Sequence, residues 1–230
     1  MSGMVAKVTL DIISDPICPW CYIGKTRLDQ SVAATGLDPF ETNWRIFQLN
    51  PDMPPDGMDR RAYLEAKFGG AKGAEQIYSR VRQEAERTGL ELRFDKIGRT
   101  PNTFDAHRLI RWARTTGSQD AVAHALFQRY FERGEDISDH AVLLDVAESA
   151  GMERPVVERL LAGDADREEL KEEEGAARRM GVNGVPCFII AGRYVMQGAQ
   201  PADTWKDVIT ELDTALAKQA GEAEPGPRTA

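Results

Sequence analysis

Apolar positions along the chain change their spacing twice, and that change predicts the architecture. Val8 to Ile13 is short, β-branched and mostly apolar, the pattern of a buried strand, and Ser14-Asp15-Pro16 breaks it. From Pro19 to Ala34 the spacing becomes helical, with Trp20, Ile23, Leu28 and Val32 as apolar positions and Gly36 as the stop. Phe40 to Leu49 alternates and predicts a second strand, so the first fifty residues form a β-turn-α-β unit of the kind that builds parallel sheets. Asn50 to Gly57, with three prolines, is a loop.

A long stretch from about Met58 to Met180 then reads as helical. The expected helices are Arg60–Lys67, Ala74–Thr88, Asn102–Thr115, Asp120–Glu132, Asp139–Ala150, Pro155–Leu161 and Asp166–Met180, punctuated by glycines. Within the third, Ala106, Leu109, Ile110 and Ala113 share one face, as a core-facing helix requires. Strand character returns at Cys187–Ala191 and Arg193–Gln197, a hairpin through Gly192. A last helix follows over about Ala202–Ala217. Residues 221–230 are too polar and proline-rich to pack, and are expected to be disordered. The economical reading is one α/β domain built from 7–57 and 181–217, with a helical domain, 58–180, inserted in its middle.

Charge narrows the function classes. With 29 basic against 37 acidic side chains the net charge is −8, which argues against a nucleic-acid partner. Arg108, Arg111 and Arg114 are basic at helical spacing and read as a solvated helix face. No apolar run is long enough to cross a bilayer. Met1 to Ala6 lacks the basic-then-apolar order of a secretory signal, so a cytoplasmic location is expected.

The three cysteines are too few and too unevenly spaced for a disulfide framework. Cys18-Pro19-Trp20-Cys21 falls where a strand hands over to a helix. Free N–H groups and the positive end of the helix dipole there favour a thiolate, which makes Cys18 the expected nucleophile and Cys21 the resolving thiol. Pro19 suits the first helical turn. A structural disulfide would close too small a loop to stabilise much. A zinc site would need two more ligands, and only Cys187, His107, His124 and His140 are on offer, without close pairing. Gly184-Val185-Pro186-Cys187-Phe188 precedes a strand, and on these residues alone Pro186 reads as a trans proline opening an edge strand.

Taken together these segments resemble the DsbA family of the thioredoxin superfamily, in particular its FrnE-like cytoplasmic branch. Ser14-Asp15-Pro16 leads into Cys18-Pro19-Trp20-Cys21-Tyr22-Ile23-Gly24. Trp44-Arg45, Leu49-Asn50-Pro51, Asn102-Thr103, Ala106-His107-Arg108-Leu109, Gly181-Val182, Gly184 to Phe188 and Gln197-Gly198-Ala199-Gln200 follow in order. The resemblance spans about Lys7 to Leu216 and implies a thioredoxin-like fold with a helical insertion. It also implies that Val185-Pro186 is cis and lies against the cysteine pair, where the main chain before the proline pairs with an extended substrate.

The implied activity is thiol–disulfide exchange with protein dithiols. Cys18 and Cys21 would be catalytic, with Pro19, Trp20, Val185, Pro186 and His107 toward the substrate. The implied partners are protein or small-molecule thiols and disulfides, glutathione among them as a redox partner. No resident cofactor, metal, nucleic acid or membrane is implied, and the oligomeric state, a homodimer included, is open. Exported DsbA enzymes carry histidine where this chain has Trp20, so a milder oxidant is expected.

A related branch, 2-hydroxychromene-2-carboxylate isomerase and kappa-class glutathione transferase, supplies the alternative. There a serine stands at the position of Cys18 and activates glutathione. A binding module that uses the cleft without redox chemistry is the third class. Residue by residue, His107 reads first as a hydrogen-bonded packing histidine and second as a cleft-lining group. His124 and His140 read as surface or capping residues. Cys187 reads as a small buried hydrophobe, with a third redox thiol as the sharper option. Trp20, Trp44 and Phe47 read as core or rim aromatics, Trp20 being the most exposed.

Overall fold

A computed structural model describes residues 7–223. A four-stranded mixed sheet is built from both ends of the chain: β1 (Val8–Ser14), β2 (Phe40–Ile46), β5 (Cys187–Ile190) and β6 (Tyr194–Gln197), in the order β2-β1-β5-β6. β1 and β2 run parallel, joined by helix α1 (Pro19–Thr35), as the β-turn-α-β pattern predicts. β5 returns antiparallel to β1 with Ile13 opposite Cys187, and β6 closes the hairpin. The hairpin turn places Ala191 and Gly192 both at positive φ, and Arg193 N–H donates to the Ile190 carbonyl.

Between β2 and β5 the chain is almost all helix. α2 (Arg60–Phe68), α3 (Ala71–Arg87), α4 (Phe104–Trp112), α5 (Gln119–Phe127), α6 (His140–Ser149), α7 (Arg154–Ala162) and α8 (Arg167–Arg179) follow in turn, and α5 runs on into a π-helical turn over Gln128–Glu132. The sequence pattern missed a second, two-stranded sheet, β3 (Met58–Asp59) with β4 (Arg99–Thr100). Two residues are too few to show alternation. α9 (Ala202–Ala223) extends six residues beyond its expected end, so Gly221–Ala223 of the expected disordered tail are helical; residues 224–230 lie outside the described residues.

One continuous core joins the sheet to the inserted helices. Leu10 and Ile12 of β1, Phe188 and Ile190 of β5, and Trp205 and Ile209 of α9 pack in it with Leu109, Leu126, Phe127, Tyr130 and Phe131. Tyr22 of α1 stacks on Phe127 at 5.1 Å. Because strand side chains alternate, Ile13 and Cys187 point to the opposite face, where Phe47, Ala177 of α8 and Val182 cover them.

The basic helix face expected at Arg108, Arg111 and Arg114 holds only for Arg114, which is exposed. Arg108 is 0% exposed. Its guanidinium donates to the carbonyls of Leu160, Gly163 and Ala165 and to Asp105, and it stacks over Trp112 at 4.8 Å. It closes the turn between α7 and α8 by donating to three of its carbonyls. Arg111 is half-buried and binds Asp166 and Glu173.

Candidate active site

The strand β1 ends at Ser14, and Asp15-Pro16-Ile17 turns the chain so that Cys18 becomes the N-cap of α1, with extended backbone (φ −89°, ψ 111°) and Pro19 at the first helical position. The Cys18 amide donates to the Asp15 carbonyl at 2.9 Å, and the Cys18 carbonyl receives the amide of Cys21 at 3.0 Å, closing the first turn. Both cysteines are free thiols, and burial does not separate them, at 3% and 2% exposure. Their positions differ instead, Cys18 at the helix terminus and Cys21 inside the first turn.

Burial holds the Cys21 thiol well above the ordinary cysteine range. A hydrogen bond with Cys18 and the proximity of its charge push the same way; the Ser14 hydroxyl and the Asp15 main chain oppose without prevailing. Cys21 thus carries its proton at neutral pH.

From the other end of the chain, Val185-Pro186 brings its main chain to the pair. The peptide bond is cis, as the resemblance implies and against the trans reading of the residues alone. Cys18 Sγ lies 3.6 Å from the Val185 carbonyl oxygen, within hydrogen-bonding reach for sulfur. Gly24 makes this approach sterically feasible: a Cβ there would stand 3.2 Å from Pro186 Cγ and 3.3 Å from Ala199 Cα. Trp20, between the cysteines, is half-buried and packs against the cluster of Ile23, Val81 and Ala85, which Phe94, Leu90 and Leu92 of the inserted segment also cover. Trp44 and Phe47 are buried, which leaves Trp20 the most exposed of the three aromatics.

His107, on α4, faces Asp15. It is 3% exposed, its Nε2 has no hydrogen-bond partner, and the distance to Asp15 Oδ1 is 3.8 Å, too long for a bond. The reading of a hydrogen-bonded packing histidine fails on that count. The ring also lines a separate cleft of about 460 Å³ with Trp44, Arg45, Arg111 and Trp112. His140 is exposed and pairs with Asp105 at 3.1 Å; His124 stands edge-on to Tyr22.

Cys187 is buried on the face of the sheet away from Cys18 and Cys21, and burial raises its thiol. Asp15, which in the sequence is only part of the motif leading into the cysteines, is wholly buried beside the pair and accepts the Leu49 amide at 2.7 Å. Among the described residues no group of three histidine, cysteine or acidic side chains gathers to hold a metal ion.

Fold and site define a thioredoxin-fold protein with a free cysteine pair at the start of α1, and the comparisons agree on the fold. Residues 9–210 match the family model of the DSBA-like thioredoxin domain, and the chain belongs to that family. A solved structure from Streptomyces coelicolor, described as a probable DsbA oxidoreductase, is 30% identical, with a TM-score of 0.79 over 96% of this chain and 94% of that one. The cytosolic disulfide reductase DsbM of Pseudomonas aeruginosa, solved with glutathione, shares the fold at 16% identity and a TM-score of 0.61, over 92% of this chain and 98% of that one. A 2-hydroxychromene-2-carboxylate isomerase shares it at 16% identity and 0.67, over 94% and 100%. An uncharacterized protein of Bacillus subtilis, YwbO, is 24% identical over 208 residues, 89% of this chain and 96% of that protein. No described helix is long and apolar enough to cross a membrane.

Proposed function

We propose that this chain is a thiol–disulfide oxidoreductase that exchanges disulfides with protein dithiols through Cys18 and Cys21. The observation that carries this reading is the placement of Cys18 at the α1 N-cap, its sulfur against the Val185 carbonyl and the protonated Cys21 thiol in the same helical turn.

In the reductive direction Cys18, as thiolate, attacks a substrate disulfide. One substrate sulfur leaves as a thiolate and a mixed disulfide forms. Cys21 then loses its proton and attacks Cys18 Sγ, releasing the second substrate thiol and leaving Cys18–Cys21 oxidised. The reverse path oxidises a dithiol. Val185 offers its main chain to an extended substrate, Pro186 and Trp20 border the sulfurs, and Pro19 stiffens the bridge between them. His107, which faces Asp15 from α4, borders the substrate side of the site. The redox unit comprises 7–57 and 181–217, with 58–180 as its helical cover.

A glutathione-linked role in the manner of the isomerase and transferase branch is the second reading. It is favoured by the fold shared with 2-hydroxychromene-2-carboxylate isomerase and with glutathione-bound DsbM. The second cysteine speaks for redox exchange, with glutathione as partner rather than resident cofactor. We place the protein in the cytoplasm, where a single close cysteine pair in a sparse set is catalytic in character.

Equilibration in glutathione buffers followed by mass mapping tests the proposal. Cys18–Cys21 is expected as the disulfide formed, with a reduction potential more negative than the ~−120 mV of the strongly oxidising exported DsbA. An absent Cys18–Cys21 linkage contradicts the redox reading, and a potential near −120 mV contradicts the role given to Trp20.

A further inference from the structure

Arg60, the first residue of α2, is 7% exposed and has no carboxylate within ion-pairing distance among the described residues. Its three bonds go to neutral hydroxyls. Nη1 donates to Tyr130 Oη at 2.7 Å and to Thr100 Oγ1 at 3.3 Å, and Nη2 donates to Tyr78 Oη at 2.6 Å. The guanidinium also stands over both tyrosine rings, at 5.3 and 5.6 Å. A buried guanidinium cannot shed its charge, and an uncompensated buried charge costs several kcal/mol. The two phenols do not supply the missing anion, since burial pushes both away from ionisation.

Of the five N–H donors, the Nε–H and one Nη2 hydrogen remain without a protein acceptor. Arg60 and Tyr78 line a cleft of about 600 Å³ between α2, α3 and the Phe94–Gly98 segment. The other cations of the lining are held by acids, while Asp59 keeps its charge. Arg61 pairs with Glu65, Arg82 with Glu75, Asp95 with Arg93, and Asp59 caps α2 by accepting the Ala62 amide.

We infer that Arg60, with Tyr78 and Tyr130 behind it, is the receptor for a carboxylate of a small-molecule disulfide or thiol. A guanidinium without a carboxylate partner matches a monoanion, and the four acids of the lining, Asp59, Glu65, Glu75 and Asp95, oppose a phosphate dianion. A carboxylate accepts two guanidinium donors at once, which is what Arg60 has left. The site is linked to the redox pair: Tyr78 packs edge-on to Phe94 at 4.7 Å, Phe94 and Trp20 pack against the same cluster of Ile23, Val81 and Ala85, and the charge of Cys18 is felt at the Tyr78 phenol. This inference rests on the redox reading and names the class of its small-molecule partners, those that bear a carboxylate.

The test reacts the pre-reduced protein with 3,3′-dithiodipropionate and, separately, with the neutral bis(2-hydroxyethyl) disulfide. In each single turnover the two protein thiols become the Cys18–Cys21 disulfide, and one disulfide becomes two thiols. Wild type is expected to half-saturate at a concentration about tenfold lower with the dicarboxylate. That ratio is expected to fall toward one in Arg60→Gln and to shrink in Tyr78→Phe, which keeps the aromatic wall and the arginine.

Equal half-saturation in wild type, or a preference that survives both substitutions, overturns the receptor while leaving the redox reading intact. If neither disulfide reacts, the redox reading fails, and calorimetric titration with S-methylglutathione decides the site alone. Binding to wild type that Arg60→Gln weakens supports it, and equal or absent binding removes it.

Discussion

Replacing Cys18 with serine is expected to lower the rate of disulfide exchange by ~10³-fold or more while leaving the far-UV circular dichroism unchanged. A hydroxyl is a far weaker nucleophile than a thiolate and cannot form the mixed disulfide. The fold does not depend on the sulfur, since Cys18 caps α1 without a side-chain hydrogen bond. Stopped-flow mixing with a fluorescent peptide disulfide reads the effect directly. Cys21→Ser should behave differently: the first attack persists, and turnover stalls at the second step, so a burst of one substrate thiol per protein is expected without multiple turnovers. Equal loss of the burst in both variants would contradict the division of roles. The binding-module alternative requires that neither change affects partner affinity.

The largest expected change in stability lies far from the thiols. Arg108→Ala removes four hydrogen bonds, takes the guanidinium donor from the carbonyls of Leu160, Gly163 and Ala165, and opens a void against Trp112. Breaking such a buried arrangement from one side costs about 3–5 kcal/mol. Urea unfolding at neutral pH should show a lowered midpoint with little change in slope. Arg108→Met keeps most of the volume and none of the donors, and should recover only the packing part of the loss. A loss below about 1 kcal/mol in the alanine variant would mean that water replaces the guanidinium and that the α7–α8 turn does not depend on it.

Arg108 also shows where sequence reasoning stops. Three arginines at helical spacing look like a wet face, because periodicity sees one helix and not what crosses it. The carbonyls that bury Arg108 come from a turn more than fifty residues away. Arg60 escaped notice for the same reason, its hydroxyl partners being distributed over α3, β4 and the π-helical turn. By contrast, the strand-to-helix turn at Cys18 was legible because all its determinants are local: a β-branched run, a proline break, a proline at the first helical position. The long helices were legible within a few residues at their ends, where propensity and capping compete.

The conformation of Val185-Pro186 was legible only through the resemblance, since the residues themselves favour an ordinary strand opening. His107 fell between its two readings: its ring is buried, as the first supposes, but without the hydrogen bond that reading requires. No local pattern announces that a histidine on α4 will come to face an aspartate at the end of β1.

The central claim is that Cys18 alone makes the covalent link to the substrate and Cys21 resolves it. Trapping tests it most directly. Cys21→Ala, incubated with oxidised glutathione and with a peptide disulfide and then mapped by mass spectrometry without reduction, is expected to carry the adduct on Cys18 and none on Cys187. An adduct on Cys187, or no stable adduct at all, would contradict the account.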